Sequence, residues 1–463
     1  MKFRLYCSFE RPRQQKIMSA CCGQGILAVG KGCDVRRVVQ LLVLVAVACP
    51  PAVLLADDSA GEAQETYKSG YGDLEEFGGP ASTAAELKEA DRVKSSVFRF
   101  ENIERGLESW FEWKNRMFDN YGSSFGFDVN WLYQRASASL GDRDAFGAIY
   151  RLRGEWIAIG RGSPNTGSLV YRAEYRDNHF TDVAPAAFGK EVGAASITTG
   201  FAYASNFGPT VSELYWKQLY NDKRFGFVVG ILDFGPYFDY YPYTTLGKGF
   251  LTREFLLNPT LATTGVGHLG AAAKGFIGDH VWVGGALYDA NAVNGEMNFD
   301  TWDGGELLRH VEVGWTPSRK RNRTDRVQVT YWEVDERRDA GIPAGSGWAL
   351  SMSGEFGDRY VPFFRVGDTD GGGGAPAEHH VSVGFGKVLR RDDRISVALA
   401  RNKPSRKTNG EDLDYEYLVE ASYQVQASQN VSLLPNVQLI IDPANYPTKS
   451  HVWVFSLRIR LTL

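Results

Sequence analysis

The feature that most restricts the fold of this chain is the alternation of apolar and polar residues in its last segment. Every second residue from Trp453 to Leu463 is apolar, whereas the other set includes Arg458 and Arg460. A period of two places successive side chains on opposite faces of a β-strand. One apolar face and one charged face are typical of a membrane barrel, whose outside contacts lipid and whose inside contacts water. The segment therefore predicts a transmembrane strand.

The same alternation recurs from residue 125 onward in segments of about ten residues, for example at 149–158 and 169–176. Short turns separate some of these segments, and longer polar insertions such as 369–377 and 403–414 separate others. Short turns at one end and long loops at the other are typical of outer-membrane barrels. The chain is thus predicted to be all-β, a transmembrane antiparallel β-barrel of about 16 strands with a short N-terminal helical segment. A barrel of that size encloses a water-filled lumen.

Composition favours such a barrel over a helical membrane protein. The mean hydropathy is −0.28, which is low for a bundle of apolar helices but suits strands that face lipid with alternate residues. The formal net charge is −4. The first 56 residues hold 8 of the 51 basic and 2 of the 55 acidic residues, so the rest carries about −10. Nucleic acid is therefore not an expected partner, because phosphate binding requires a basic surface.

The first 56 residues have the pattern of a secretory signal. Two arginines precede the apolar run from Val38 to Ala56, which a double proline interrupts and a small residue ends. We predict a signal peptide at 1–56, starting at Met1 or Met18; a membrane anchor is the alternative that the prolines disfavour. A mature chain without this part would have no disulfide, zinc site or catalytic thiol. All five cysteines lie in it: Cys7, Cys21, Cys22, Cys33 and Cys49.

The region between the signal and the first strand has two parts. Residues 57–101 are polar and rich in Gly, Ala and Glu, which is typical of a flexible leader, with one short helix predicted at 84–94. Residues 102–122 carry apolar side chains at spacings of three and four, which predicts an amphipathic helix. That helix either packs on the strands that follow or gates the channel from the periplasmic side. Residues 123–463 then form one barrel domain.

Several strand and turn sequences resemble those of carbohydrate-selective porins of the OprB type. Ser212–Tyr220 (SELYWKQLY) leads into Phe225–Asp233 (FGFVVGILD). This pair is similar to the family's hairpin, in which an "ELW…Q" strand precedes a "G-x-G-hydrophobic-D" strand. Near the end, Tyr417–Tyr423 and Leu434–Gln438 resemble the strands before the family's last strand. The similarity extends over about 105–463 and is patchy around 290–375.

The resemblance implies a passive channel for sugars in the outer membrane of a Gram-negative bacterium. Its partners would be small sugar solutes and outer-membrane lipid, with the protein as a monomer or a trimer. No cofactor is implied. The preferred sugar cannot be carried over from the family.

A porin forms no covalent bonds, so its functional site is a constriction lined by polar and aromatic groups. Paired opposite charges on adjacent strands would create a transverse field that favours neutral, dipolar solutes. A long loop, Gly235–Pro259, either folds into the lumen or lies outside the cell. The charged residues of segments 149–158 and 169–176, which we call the charged ladders, either contact the solute or only brace the inner wall. The candidate channel-lining and sugar-binding residues are Arg151, Arg153, Glu155, Arg172, Glu174, Arg176, Asp233, Tyr237, Asp239, Tyr240 and Arg253.

Two features resemble metal sites without completing one. Asp368–Gly371 resembles the start of a calcium loop, but the glutamate that would close such a loop is missing. His379 and His380 are neighbours, so a strand directs them to opposite faces. We therefore expect neither a metal nor a cofactor, and the sequence contains no nucleophile or phosphate-loop motif.

Three other functions stay possible at the level of sequence. A general or anion-selective porin would use the same arginines without matching carboxylates. An outer-membrane enzyme such as a lipid hydrolase would need a serine beside a histidine at the lipid edge, and no motif places them so. A soluble secreted β-protein would lack the lipid-facing alternation.

Overall fold

The computed structural model describes residues 77–204, 207–262, 264–293, 304–357, 360–389 and 392–463. These residues form a closed barrel of sixteen antiparallel strands. Each strand pairs with its neighbours in chain order, and the first strand pairs with the last. The predicted fold class is confirmed. The predicted signal peptide at 1–56 and the first part of the predicted leader lie outside the described residues.

The strands, in chain order, are β1 (Ser123–Ala136), β2 (Asp144–Ile159), β3 (Thr166–Asp177), β4 (Phe207–Tyr220), β5 (Phe225–Leu232), β6 (His268–Ile277), β7 (Val281–Asp289), β8 (Leu307–Trp315), β9 (Arg326–Val334), β10 (Gly345–Ser353), β11 (Tyr360–Thr369), β12 (Ala377–Val388), β13 (Arg394–Pro404), β14 (Glu416–Gln426), β15 (Val431–Ile441) and β16 (His451–Thr462). The helices are α1 (Thr83–Asp91), α2 (Glu101–Tyr121), α3 (Phe188–Glu191), α4 (Arg253–Leu256) and α5 (Arg406–Asn409), with a 3-10 turn at Arg319–Arg321.

Alternation within the strands produces two different barrel surfaces. On β16, Phe455 is 52% exposed on the outside, whereas Arg458 is 1% exposed on the inside. The same division holds on β2, where Leu152 and Trp156 face outward and Arg153 faces the lumen. Apolar side chains outside and charged side chains inside are the arrangement that a membrane-spanning barrel requires.

Connections at the two ends of the barrel differ in length. Tight turns join the strands at the end where the chain enters β1 and leaves β16, which we call the short-turn end. In one of them, at 221–223, the three residues have φ of 52°, 52° and 62°. Among residues other than glycine, Asn and Asp adopt this left-handed conformation most readily, and they supply two of the three. The long connections, including 178–206 and 233–267, lie at the opposite end.

Helix α2 lies at the barrel rim of the short-turn end. Its Trp110 and Trp113 rings lie 5.7 and 5.0 Å from the ring of Phe125 on β1. Trp156 donates from its indole nitrogen to the carbonyl of Tyr121 at 3.0 Å. The helix predicted at 102–122 therefore packs on the strands that follow it. Among the described residues, no helix is long and apolar enough to cross a membrane.

Helix α1 belongs to the segment that the sequence indicated as a leader. Ser82 caps it by accepting from the backbone of Ala85 at 3.4 Å. Leu87 is fully buried against α2 and β2. At the end of the helix, the Asp91 carboxylate lies 2.9 Å from the ammonium of Lys114 on α2, and both side chains are buried. The helix is thus fixed between α2 and the barrel wall, while the predicted flexibility of the rest of the leader stays untested.

We expect Asp91→Asn to loosen the contact between α1 and α2. The change removes the carboxylate beside a buried ammonium, and disrupting a buried ion pair destabilises its surroundings by about 3–5 kcal/mol. Trypsin cleavage after Arg92, Lys94 or Arg99 in the folded protein should become about tenfold faster or more. Glu112→Gln, which removes the exposed partner of Arg116, is the control and should leave cleavage unchanged. Equal rates for both variants would contradict the importance of the buried pair.

Candidate functional site

The connection between β5 and β6 crosses the inside of the barrel. Near its start, the Asp239 carboxylate pairs with Arg365 on β11, and both side chains are fully buried. The backbone nitrogen of Asp239 donates to Glu312 on β8 at 2.8 Å. We call residues 233–267 the lumen loop.

The far side of the lumen loop is bound to the opposite part of the wall. Glu420 on β14 accepts from the backbone nitrogen of Leu251 at 2.7 Å and from the hydroxyl of Thr252 at 2.6 Å. Arg458 on β16 donates to the carbonyl of Leu246. Inward-facing residues of β8, β11, β14 and β16 therefore hold one loop, which places it in the lumen. Of the two sequence interpretations of Gly235–Pro259, the loop folded into the lumen is the one observed.

Aromatic packing fills the space between this loop and the wall. The ring of Phe363 on β11 lies 5.2 Å from that of Tyr241, 5.3 Å from that of Tyr243 and 5.9 Å from that of Phe250. All four side chains are buried. Burying apolar rings against each other stabilises the loop and closes this part of the lumen to water.

A second loop, residues 178–206 between β3 and β4, also folds inward. Glu416 on β14 accepts from the backbone nitrogens of Ala195 and Ser196 at 2.8 and 2.9 Å. The hydroxyl of Thr199 donates to Gln134 on β1 at 3.1 Å. Two loops therefore narrow the lumen from different sides.

Between these loops and the wall lies a cavity of about 480 Å³, which we call the lumen cavity. Its volume is within the range of about 300–1,000 Å³ common for small-molecule sites. Helix α1, strands β2 and β3 and both infolded loops contribute to it. Its charged lining residues are Glu86, Arg151, Arg153, Arg172, Arg176, Lys190, Asp233 and Arg253.

The arginines of β2 and β3 are paired with carboxylates. Glu174 lies 3.0 Å from Arg151 and 3.0 Å from Arg176. Arg172 contacts Glu213 on β4 at 3.0 Å and Asp233 of the lumen loop at 3.2 Å. Each guanidinium is thus held in one orientation by planar, charge-assisted bonds. The wall presents fixed donors to the cavity without a large excess of positive charge.

Helix α1 contributes one more carboxylate, that of Glu86. It accepts from Arg153 on β2 at 2.9 Å and from Arg460 on β16 at 2.5 Å, and the hydroxyl of Thr245 donates to it. Burial alone would raise the pKa of Glu86, but the charges of Arg460 and Arg153 outweigh it and hold the pKa well below the usual range. Glu86 is therefore ionised at neutral pH.

The short helix α4 within the lumen loop has two perturbed groups. Burial raises the pKa of Glu254 to about 8 despite a bond from Asn402 at 3.2 Å. Burial likewise lowers the pKa of Arg253 to about 10. The guanidinium of Arg253 donates to the carbonyl of Leu261 at 3.2 Å. Glu254 is thus mainly protonated at pH 7, so the loop carries less negative charge than its sequence implies.

Six of the sequence-predicted site residues line the lumen cavity: Arg151, Arg153, Arg172, Arg176, Asp233 and Arg253. Their predicted contact with sugar stays a prediction. The fold therefore brings together candidate residues of β2 and β3 with candidate residues of the lumen loop, which lies far from them in sequence.

The other five predicted residues do not line this cavity, and their contact with sugar likewise stays a prediction. Glu155 pairs with Lys217 at 2.5 Å, and Glu174 lies behind its arginines. Tyr237 donates its hydroxyl to Tyr215 at 2.7 Å. The remaining two anchor the loop, Asp239 through Arg365 and Tyr240 by accepting from Lys274 at 2.9 Å. The polar side-chain atoms of the three loop residues bond to the wall because the loop packs against it, and those of Glu155 and Glu174 bond to other side chains of the wall.

Sequence reasoning missed Glu86 and Lys190 as lining residues of the cavity, and Arg460 as the partner of Glu86. Arg460 was visible as a lumen-facing residue of the last strand, but nothing indicated which strands it would approach. Glu86 lies in a polar leader with no periodic pattern around it. Within the described residues, no group of three or more His, Cys, Asp or Glu side chains is placed to hold a metal ion.

A closed sixteen-stranded barrel with loops folded into a charged lumen is the architecture of a porin. The C-terminal part of the chain, residues 336–463, matches the family described as "Carbohydrate-selective porin, OprB family". The resemblance to OprB-type porins is thereby confirmed for this part of the chain. No curated protein sequence matches the chain.

One of the similar solved structures supports the fold. The high-pH structure of Pseudomonas putida OprB superposes with a TM-score of 0.63 at 12% identity, covering 80% of this chain and 99% of that one. The low-pH structure of the same protein gives a TM-score of 0.45 at 14% identity, with the same coverage. A mutant Rh. blastica porin gives 0.46 at 13% identity, covering 74% of this chain and 100% of that one. At such identities the likeness concerns the fold alone.

We expect Glu420→Ala to release the lumen loop from β14. The change removes the acceptor of the Leu251 nitrogen and the Thr252 hydroxyl, and leaving those buried donors unsatisfied costs about 1–3 kcal/mol each. Single-channel recordings should then show larger or noisier conductance steps. The outward-facing Glu333→Gln is a control that should keep the wild-type trace. An unchanged trace for Glu420→Ala would mean that the loop does not limit the current.

Proposed function

We propose that this protein is an outer-membrane porin of a Gram-negative bacterium through which small neutral carbohydrates diffuse passively. The observation that carries the proposal is the lumen cavity, which combines fixed guanidinium donors with matching carboxylates. The family match over residues 336–463 supports the same class of solute.

Charge pairing favours a neutral solute over an ion. Each arginine of the charged ladders faces at least one carboxylate within 3.2 Å. An ion entering the cavity would meet both signs of charge and gain little, whereas a sugar hydroxyl can accept from a guanidinium and donate to a carboxylate. Phe201 and Phe234 also line the cavity, and aromatic rings suit the C–H faces of a sugar.

The outer surface supports a membrane location. Trp348 and Trp453 lie outward at the long-loop end, and Trp315 and Tyr360 lie outward at the short-turn end. Aromatic residues at two levels are typical of barrels, where they mark the two membrane interfaces. Between these levels the outward residues are mainly apolar.

An anion-selective porin is the second candidate, because arginines outnumber carboxylates among the residues that line the cavity. The carboxylates immediately behind that lining, such as Glu174 and Glu213, argue against it. We infer a channel rather than an enzyme from the fold and the family match.

Planar-bilayer recording of the purified protein tests the proposal. We expect stepwise conductance that a neutral sugar such as glucose reduces in a saturable way. Channels that do not respond to any neutral sugar would contradict carbohydrate selectivity and favour the anion-selective alternative. The absence of conductance steps in correctly folded protein would contradict a porin altogether.

We expect Arg151→Met to weaken the sugar-dependent block by about tenfold, because a hydrogen bond to a charged group contributes about 1.5–3 kcal/mol. Arg151 lines the cavity. Arg309→Met, on an outward-facing arginine of β8, is the matched control and should keep the wild-type half-blocking concentration. A sugar titration of the single-channel current measures both. An equal effect of the two variants would show that the cavity is not where sugar binds.

A further inference from the structure

The inward face of the wall near the junction of β16 with β1 has more positive than negative charge. β16 directs Arg458 and Arg460 into the lumen, and both are buried. β1 contributes one carboxylate, Asp128, to which Arg153 of β2 donates. Among the described residues of the wall, no carboxylate lies within ion-pair distance of Arg460, although Asp128 is near enough to interact with its charge.

Helix α1, which precedes the barrel, supplies the missing charge. Among the residues that the structure describes, Glu86 is the carboxylate within ion-pair distance of Arg460, at 2.5 Å. The same carboxylate lies 2.9 Å from Arg153. One side chain from a helix that is not part of the barrel wall thus joins arginines of β2 and β16, which lie on either side of β1.

The position of Glu86 is fixed at both ends of its helix. The Thr83 hydroxyl donates to Glu213 on β4 at 2.8 Å. The backbone nitrogen of Gly79 donates to the carbonyl of Pro236 in the lumen loop at 2.5 Å. At the other end, the Asp91–Lys114 pair holds α1 to α2. Because Glu86 also lines the lumen cavity, its charge faces the path of the solute.

We propose that Glu86 is the specificity-determining residue that makes the pore electrically balanced and so lets it discriminate against anions. The inference rests on the proposed porin function. Without Glu86, Arg153 would keep Asp128 as its partner, whereas Arg460 would lose its ion-pair partner. This cluster of two arginines and two carboxylates, which borders the cavity, would then carry one net positive charge. Chloride or an organic anion would then be concentrated there, as in clefts lined by charge of one sign.

The test is the zero-current potential of single channels across a KCl gradient. We expect Glu86→Gln to raise the permeability ratio of chloride to potassium about fivefold, as for removal of one unit charge at about 4 Å in a water-like medium. The increase should be smaller at about 1 M KCl than at about 0.1 M, because salt screens exposed charges. Glu86→Gln keeps the size and shape of the side chain.

Glu112→Gln is the charge control. Glu112 lies on α2, is exposed, and its carboxylate is 3.8 Å from the exposed guanidinium of Arg116. Its variant should keep the wild-type ratio. Arg460→Gln, which leaves Glu86 with one cation fewer, should lower the ratio. Folding of each variant is checked by the heat-dependent gel mobility of folded barrels. If Glu86→Gln does not fold, the expected decrease of the ratio in Arg460→Gln tests the proposal instead.

The possible failures are distinguishable. Wild-type protein that folds but produces no channels would overturn the porin function itself. Wild-type channels together with unchanged ratios in Glu86→Gln and Arg460→Gln would overturn the role of Glu86 while leaving the porin intact. A rise in Glu112→Gln equal to that in Glu86→Gln would also overturn it, because the effect would then follow the net charge of the protein rather than the position of Glu86.

Discussion

Closure of the sheet between β1 and β16 is the constraint on which the rest of this structure depends. Nine residue pairs, from Asp128–Thr462 to Ala136–Val454, join the two ends of the domain. Closure satisfies the backbone hydrogen bonds of every strand, so no polar sheet edge is left to face lipid. Closure also separates the outer surface of the barrel from the inner surface, so that successive residues of each strand face the lipid and the lumen in turn.

The lumen side then poses an electrostatic problem. Several arginines are buried there, and a buried charge is costly unless it is paired. Strands β1–β4 solve it locally with Asp128, Glu174 and Glu213. Elsewhere the partner comes from infolded segments, as with Asp239 for Arg365 and Glu86 for Arg460. The segments that narrow the pore are the ones that complete its charge pairing, so the permeability and the stability of the lumen share the same contacts.

The barrel wall is therefore a scaffold, and α1 and the two infolded loops are inserted into it. The wall supplies a rigid set of donors, while α1 and the two infolded loops define which of those donors a solute can reach. Tyr240 and Asp239 illustrate the division, because both are polar residues of the lumen loop and yet both face the wall rather than the cavity. Solute selectivity consequently depends on segments that lie far apart in sequence.

Local sequence determined the strands, the turn at 221–223, α2 and the division of residues between lipid and lumen, because period-two and helical patterns depend only on neighbours along the chain. β6 gave a weaker signal, since its outward residues Ala271 and Ala273 are small. The path of the lumen loop, the pairing of Glu86 with arginines at positions 153 and 460, and the exclusion of Tyr237 from the cavity were decided by the tertiary structure alone. Those contacts join residues up to 374 positions apart, and no periodicity records which distant charges a closed barrel will bring together.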